Sequence, residues 1–252
     1  MLSIENFLKN GYTKLKFKDI KIIDRFKKKI RNKINIRLNK INKDIKVKDL
    51  HNFHNLKLSD IESDFILDSK HRNIKLSTTE IKEIYKIDYI KAVLEHYYGN
   101  KKPLILYSIN YKFISNLSGF RIVMPHSSKV ANVHSESTYG HHCFTIWIPI
   151  IGFTEKSSLK MYLKSHMYRH EESSFKKNNK TNKAQLIKNS YLKKFKISKR
   201  LNFKKGEFIL FHPDLLHGGS INKDNKTRVS MELRIYYEKK HSSKQQKRTI
   251  SL

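Results

Sequence analysis

Residues 206–238 read GEFILFHPDLLHGGSINKDNKTRVSMELRIYYE. Two apolar runs flank a polar stretch rich in Gly, Asn, Asp and Lys, the pattern of strand, turn and strand. His217 stands in the turn. In the second run Arg228 and Ser230 are two apart, so on extended backbone they share one face. This stretch predicts a sheet with a chemistry-bearing face.

Upstream, the same reading applies to PLILYSINYKFI (103–114), GFRIVMP (119–125), KVANVHSE (129–136), CFTIWIPIIGF (143–153) and LKMYL (159–163). The segment before residue 100 has helical period. In 22–45, Ile23, Phe26, Ile30, Ile34, Leu38, Ile41 and Ile45 recur every three or four residues, with lysines opposite. Packing on a sheet is the common fate of such a stripe; a membrane-surface helix is the alternative. A second helix is expected over 77–99, with Thr78 or Thr79 as N-cap and Gly99 at its C-terminal end. Helices followed by many strands predict an α+β chain with a mainly β core and helices outside it. We read one domain over 1–252: a helical part (1–100), a β core (101–238) with a polar insertion at about 168–200, and a basic, frayed tail (239–252).

Fifty-three Lys and Arg against 22 Asp and Glu give a net charge of +31. That charge attracts anionic partners. It is spread along the chain, however, and no zinc finger, RNP strand or basic zipper accompanies it, so no specific nucleic-acid partner is expected. The single cysteine, Cys143, excludes an internal disulfide and a Cys-rich zinc site. There is no apolar run of membrane-span length and no signal-peptide core, so a cytoplasmic location is expected.

His134 and Glu136 are two apart at the end of a strand-like run, so their side chains share one side. With His217 they match the two-histidine, one-carboxylate triad that holds Fe(II) by one face and leaves other positions open. Arg228 beside Ser230 suits the distal end of a dicarboxylate. Each part alone is weak, since H-x-E arises often by chance and a strand arginine is usually solvated. Their order and spacing together are far more specific.

On these residues the chain resembles the Fe(II)/2-oxoglutarate oxygenases of the phytanoyl-CoA dioxygenase-like superfamily. It is most like members associated with carbohydrate and aminoglycoside biosynthesis. FLKNGYTKLKF (7–17), VHSESTYGHHCFTIWIPI (133–150), FTEKSSLKMYLKSH (153–166), GEFILFHPDLLHGGSIN (206–222) and KTRVSMELRI (226–235) are similar to their segments in order. The resemblance implies a double-stranded β-helix, or jelly roll, with the N-terminal helices packed on one sheet. It implies iron on His134, Glu136 and His217, and 2-oxoglutarate on Arg228 and Ser230. It also implies O2 as co-reactant, with release of succinate and CO2. The family usually has Asp where this chain has Glu136. A carboxylate there favours hydroxylation over halogenation.

Thr145, Trp147 and Arg121 lie on strands beside the motif and are further candidates for cosubstrate or substrate contact. A core position for Trp147 and a surface ion pair for Arg121 are the plain alternatives. Asn222 reads as a turn residue, and His166 and His212 as structural or solvent-facing. The expected substrate is a saccharide, a nucleotide-linked sugar or a related small polar metabolite. Two other functions stay open: a jelly-roll protein that binds sugar without redox chemistry, and a basic binder of nucleic acid or anionic surfaces.

Overall fold

The stripe predicted over 22–45 forms a helix that ends at Ile41. Ile22, Ile23, Phe26, Ile30, Ile34 and Leu38 are buried along it. Ile45, expected to extend the stripe, lies beyond the helix, half-buried against the same core. The structure, a computed structural model, describes residues 4–41, 45–67, 72–85, 87–98, 103–106, 117–127, 133–137, 143–168, 170, 175–176, 186–197, 200–218, 221–237 and 249–251.

In chain order the helices are α1 (Ile4–Asn10), α2 (Lys21–Ile41), α3 (Asp60–Leu67), α4 (Thr78–Tyr85), α5 (Asp88–Tyr98) and α6 (Asn189–Leu192). The strands are β1 (Tyr12–Lys16), β2 (Asn73–Lys75), β3 (Pro103–Leu106), β4 (Leu117–Val123), β5 (Cys143–Ile151), β6 (Phe175–Lys176), β7 (Leu186–Ile187), β8 (Glu207–Phe211), β9 (Arg228–Tyr237) and β10 (Thr249–Ser251). The single helix expected over 77–99 is therefore two, α4 and α5. Its N-cap is Ser77 rather than either threonine. The Glu80 N–H donates to Ser77 Oγ at 3.2 Å and the Ser77 N–H donates to Glu80 Oε2 at 2.7 Å. This reciprocal box satisfies two amides that the helix itself cannot. Gly99 lies outside the described residues.

One antiparallel sheet runs β1-β8-β5-β9-β3-β10, and β4 joins β9 to β2. Alternation gives it two chemically different faces. Phe144, Ile146 and Ile148 of β5, Val229, Met231, Leu233 and Ile235 of β9, and Phe208 and Leu210 of β8 lie in one core with the α2 stripe. This places the helices on one sheet face, as expected. The other face carries Thr145 and Trp147 of β5, Ile209 and Phe211 of β8, and Arg228, Ser230, Glu232 and Arg234 of β9 in register. A thinner second layer packs here, with Met161 and Leu215 against Trp147, Ile209 and Phe211. That layer is tied by isolated bridges, His134 with His217, Met161 with His217 and Tyr162 with Ile197. The run over 129–136, expected as a strand, contributes only such a bridge among its described residues.

Within the polar insertion β6 pairs with β7, and Ile187 and Phe195 pack with Tyr162 and Leu216. The tail is not wholly frayed, because β10 pairs with β3. No helix among the described residues is long and apolar enough to cross a membrane.

Ile30 is fully buried where α2 meets the sheet. Ile30→Ala removes three methyl or methylene groups there and is expected to cost about 2–5 kcal/mol, read as a fall in the urea midpoint with an unchanged slope.

Candidate metal centre

The local backbone first brings two of the candidate ligands together. The His134 N–H donates to the His217 carbonyl at 2.9 Å, and the His217 N–H donates to the His134 carbonyl at 2.8 Å. A pair that exchanges both bonds faces its side chains the same way, and the two rings lie 4.5 Å apart between centroids. Glu136 follows two residues later on the same side, while Ser135 turns away to Ser137, with 3.1 Å between hydroxyls. One ligand atom from each of His134, Glu136 and His217 lies within 4.8 Å of the others.

The donor chemistry fits a divalent metal. Nδ1 of His217 lies 2.9 Å from the Leu215 carbonyl, which can only accept, so that nitrogen carries the proton. Nε2 then keeps its lone pair and lies 4.0 Å from Oε1 of Glu136. Burial, reinforced by the neighbouring His134, pushes His217 down to about 4 despite the opposing pull of Glu136. The imidazole is neutral at neutral pH, as ligation requires. Burial works to raise the Glu136 carboxyl, but Arg234, His217 and His134 outweigh it, and the group falls to about 2. Two imidazoles and one carboxylate, with a ligand atom from each within 4.8 Å of the others, could hold a non-haem iron or a metal of similar preference.

Arg234 is a further residue of the site, beyond those the sequence motifs single out. Its Nε and Nη2 donate to Oε2 and Oε1 of Glu136 at 2.8 and 3.0 Å. The signal was present in the alternation of RVSMELR, which puts residues 228, 230, 232 and 234 on one face.

The other candidates separate into two groups. Arg121 pairs across strands with Ser230, and Val123 with Arg228, so the two arginines and the serine occupy adjoining positions. Arg228 is buried and donates to the Ser157 carbonyl, and its guanidinium also lies 5.9 Å from the Phe153 ring. Burial and the charges of Arg121 and Arg200 press Arg228 down to about 10. Thr145 pairs with Arg234, and its fully buried hydroxyl has no hydrogen-bond partner among the described residues. Trp147 lies on the same face, opposite Glu232. It is packed edge-on against Phe153 at 4.7 Å in an apolar cluster, a core position.

Gly152 has φ +73°, and a Cβ there would lie 2.4 Å from the Thr227 carbonyl oxygen, so only glycine lets β5 pass the start of β9. Asn222 acts as the turn residue expected, donating to the carbonyls of Val123 at 3.2 Å and Lys226 at 2.9 Å. His166 is structural, with Nε2 2.8 Å from the Leu8 carbonyl. His212 packs against it, 5.4 Å between ring centroids. A cavity of about 340 Å³ between α2 and the end of β5, lined by Lys27, His51, Phe153 and Phe203 among others, contains none of the triad.

No protein-family model matches the chain, and no curated protein matches it in sequence. Solved structures do match. The non-heme alpha ketoglutarate dependent carbocyclase SnoK from nogalamycin biosynthesis superposes with a TM-score of 0.53 at 12% identity, over 92% of this chain and 81% of that one. EctD from S. alaskensis, with 2-oxoglutarate and 5-hydroxyectoine, gives 0.54 at 13% identity, over 94% and 76%. The epimerase SnoN, with Fe3+, alpha ketoglutarate and nogalamycin RO, gives 0.52 at 10% identity, over 95% and 86%. The chain has the fold of these oxygenases. The jelly roll expected from the sequence is thus the architecture observed.

Buried neutral histidines make stability depend on pH. His217 and His212 both sit near 4 when folded, against an ordinary 6.5. Between those values the unfolded chain binds more protons, so stability falls as pH falls through that window and levels off below it. Glu136 acts lower, its contribution being lost as pH falls from 4.5 toward about 2. The metal-free protein should therefore show a lower urea midpoint at about pH 5 than at about pH 7.5, and His212→Gln should shrink the difference.

Proposed function

We propose that the protein is an Fe(II)- and 2-oxoglutarate-dependent dioxygenase that hydroxylates a small polar metabolite. The observation that carries this reading is the convergence of His134, Glu136 and His217 within 4.8 Å, on a fold shared with oxygenases of this kind. Iron with 2-oxoglutarate and O2 supplies an oxidant able to break a C–H bond. Overall R–H, 2-oxoglutarate and O2 become R–OH, succinate and CO2.

His134, Glu136 and His217 hold the metal in this reading. Arg228, Ser230 and Arg121 bind the distal carboxylate of 2-oxoglutarate. Arg228 is buried and pressed down by two other arginines, an excess of positive charge that an anion relieves. The Thr145 hydroxyl, buried without a partner among the described residues, is a hydrogen-bond donor on the same sheet face. The apolar cluster around Trp147 excludes water behind the site. Restricting water strengthens each of these polar contacts.

For the substrate we favour a saccharide or a nucleotide-linked sugar. The sequence resemblance points to carbohydrate chemistry, and the net charge of +31 favours a phosphorylated partner. A second reading, a jelly roll that binds sugar without redox chemistry, draws on one observation. Arg234 already compensates the Glu136 carboxylate with no metal needed.

The two readings differ spectroscopically. Under anaerobic conditions Fe(II) plus 2-oxoglutarate should give a weak visible charge-transfer band, abolished in His217→Ala. Absence of a band in the wild-type protein, with sugar binding unaffected by chelators, would favour the second reading. Arg228→Met should raise the KM for 2-oxoglutarate by about tenfold or more while the metal still binds, since a charge-assisted bond contributes about 1.5–3 kcal/mol.

A further inference from the structure

Arg234 lies two positions beyond Glu232 and four beyond Ser230 on β9, so it shares their face of the sheet. Its backbone is paired with Thr145 of β5. From there the guanidinium crosses to the segment that carries His134 and Glu136. Nε donates to Oε2 at 2.8 Å and Nη2 to Oε1 at 3.0 Å. The two side chains are only 12% and 2% exposed. Glu232 approaches the same guanidinium, with Oε2 3.7 Å from Nη2.

The two oxygens of Glu136 are not equivalent. Oε1 is the one that lies 4.0 Å from Nε2 of His217. Oε2 is the one held by Nε at the shorter distance of 2.8 Å. Arg234 holds both oxygens, and Oε1 is the one that also faces His217. A carboxylate oxygen has two lone pairs, so Oε1 can serve Nη2 and a metal together.

We propose that Arg234 is the positioning residue of the metal centre, fixing Glu136 so that Oε1 alone is presented as a ligand. This rests on reading His134, Glu136 and His217 as a metal site. The physical need comes from chain length. Glutamate has one more torsion than aspartate and more rotamer freedom to lose on ligation. A planar, two-point fork removes that freedom before the metal arrives. It also holds Oε2 at 2.8 Å from Nε, which leaves Oε1 as the oxygen nearer His217.

Arg234 has two effects of opposite sign. Its charge repels a metal cation and its geometry presents the ligand. The carboxylate need not leave the fork to reach the site, because the three ligand atoms already lie within 4.8 Å of one another with the fork closed. That geometry favours positioning, and the variants below separate it from competition.

Anaerobic Co(II) titration of the full chain, followed by visible absorption and by the metal-induced rise in melting temperature, tests this. The wild-type protein should bind Co(II), and His217→Ala should bind it far more weakly. Arg234→Met and Arg234→Lys should each bind about tenfold or more weakly, the loss expected when a residue that orients a ligand is removed. Lysine keeps the charge but cannot make the fork, so its weakness isolates geometry. In an Glu136→Gln background, Arg234→Lys should have no further effect on affinity. Co(II) affinity equal to or above wild type in Arg234→Met would make Arg234 a competitor and overturn the proposal. If Arg234→Met does not fold, Arg234→Lys decides: weaker binding supports the proposal and unchanged binding overturns it. A wild-type protein that ignores Co(II), or a His217→Ala variant that binds it equally well, instead removes the metal site itself.

Discussion

Two backbone hydrogen bonds between His134 and His217, at 2.9 and 2.8 Å, are the contact on which the site depends. They join segments distant in sequence and require the two side chains to project the same way. Among the described residues the second layer is tied here by isolated bridges. The pair is also held by what packs beneath it. Leu215 enters the apolar cluster of Trp147, Ile209 and Phe211, and Leu216 enters that of Tyr162, Ile187 and Phe195. His217 thus hangs from a short chain anchored on both sides by burial.

The major sheet supplies the rest by alternation. β9 turns Val229, Met231, Leu233 and Ile235 toward the helices and Arg228, Ser230, Glu232 and Arg234 toward the second layer. The hydrophobic face holds the strand in register, and the register places the charges. Burying two guanidiniums costs free energy unless each is compensated. Arg234 is compensated within the chain by Glu136. Arg228 donates to the Ser157 carbonyl and feels the charges of Arg121 and Arg200, and in the function proposed a bound anion adds to its compensation.

The sequence was most legible where a period ran long. The α2 stripe and the alternation around His134, Glu136, Arg228 and Ser230 could be read directly, because burial imposes them residue by residue. Boundaries were harder. Ser77 and Thr78 are both capping types, and the reciprocal bonds with Glu80, three residues on, select the serine. The break between α4 and α5 leaves the apolar period nearly intact, so it was invisible. Arg234 escaped for a different reason. Its role is defined by a partner on another segment, and no local pattern in β9 names Glu136. The tail, expected to be frayed because it is basic and polar, pairs with β3 at 249–251.

The arrangement along β9 also governs how this protein can vary in length. Adding or deleting one residue between 228 and 234 would exchange the two faces from that point onward, sending Arg234 among the isoleucines and Leu233 to the carboxylate. The β5–β9 ladder has a single register irregularity, between Pro149 and Ile151, beyond the positions opposite Arg234 and Glu232. The turn at 221–227, mostly exposed or half-buried, is under no such parity. Insertions in relatives of this chain should therefore collect in the turn, while the strand is copied with its length unchanged even where its residues differ.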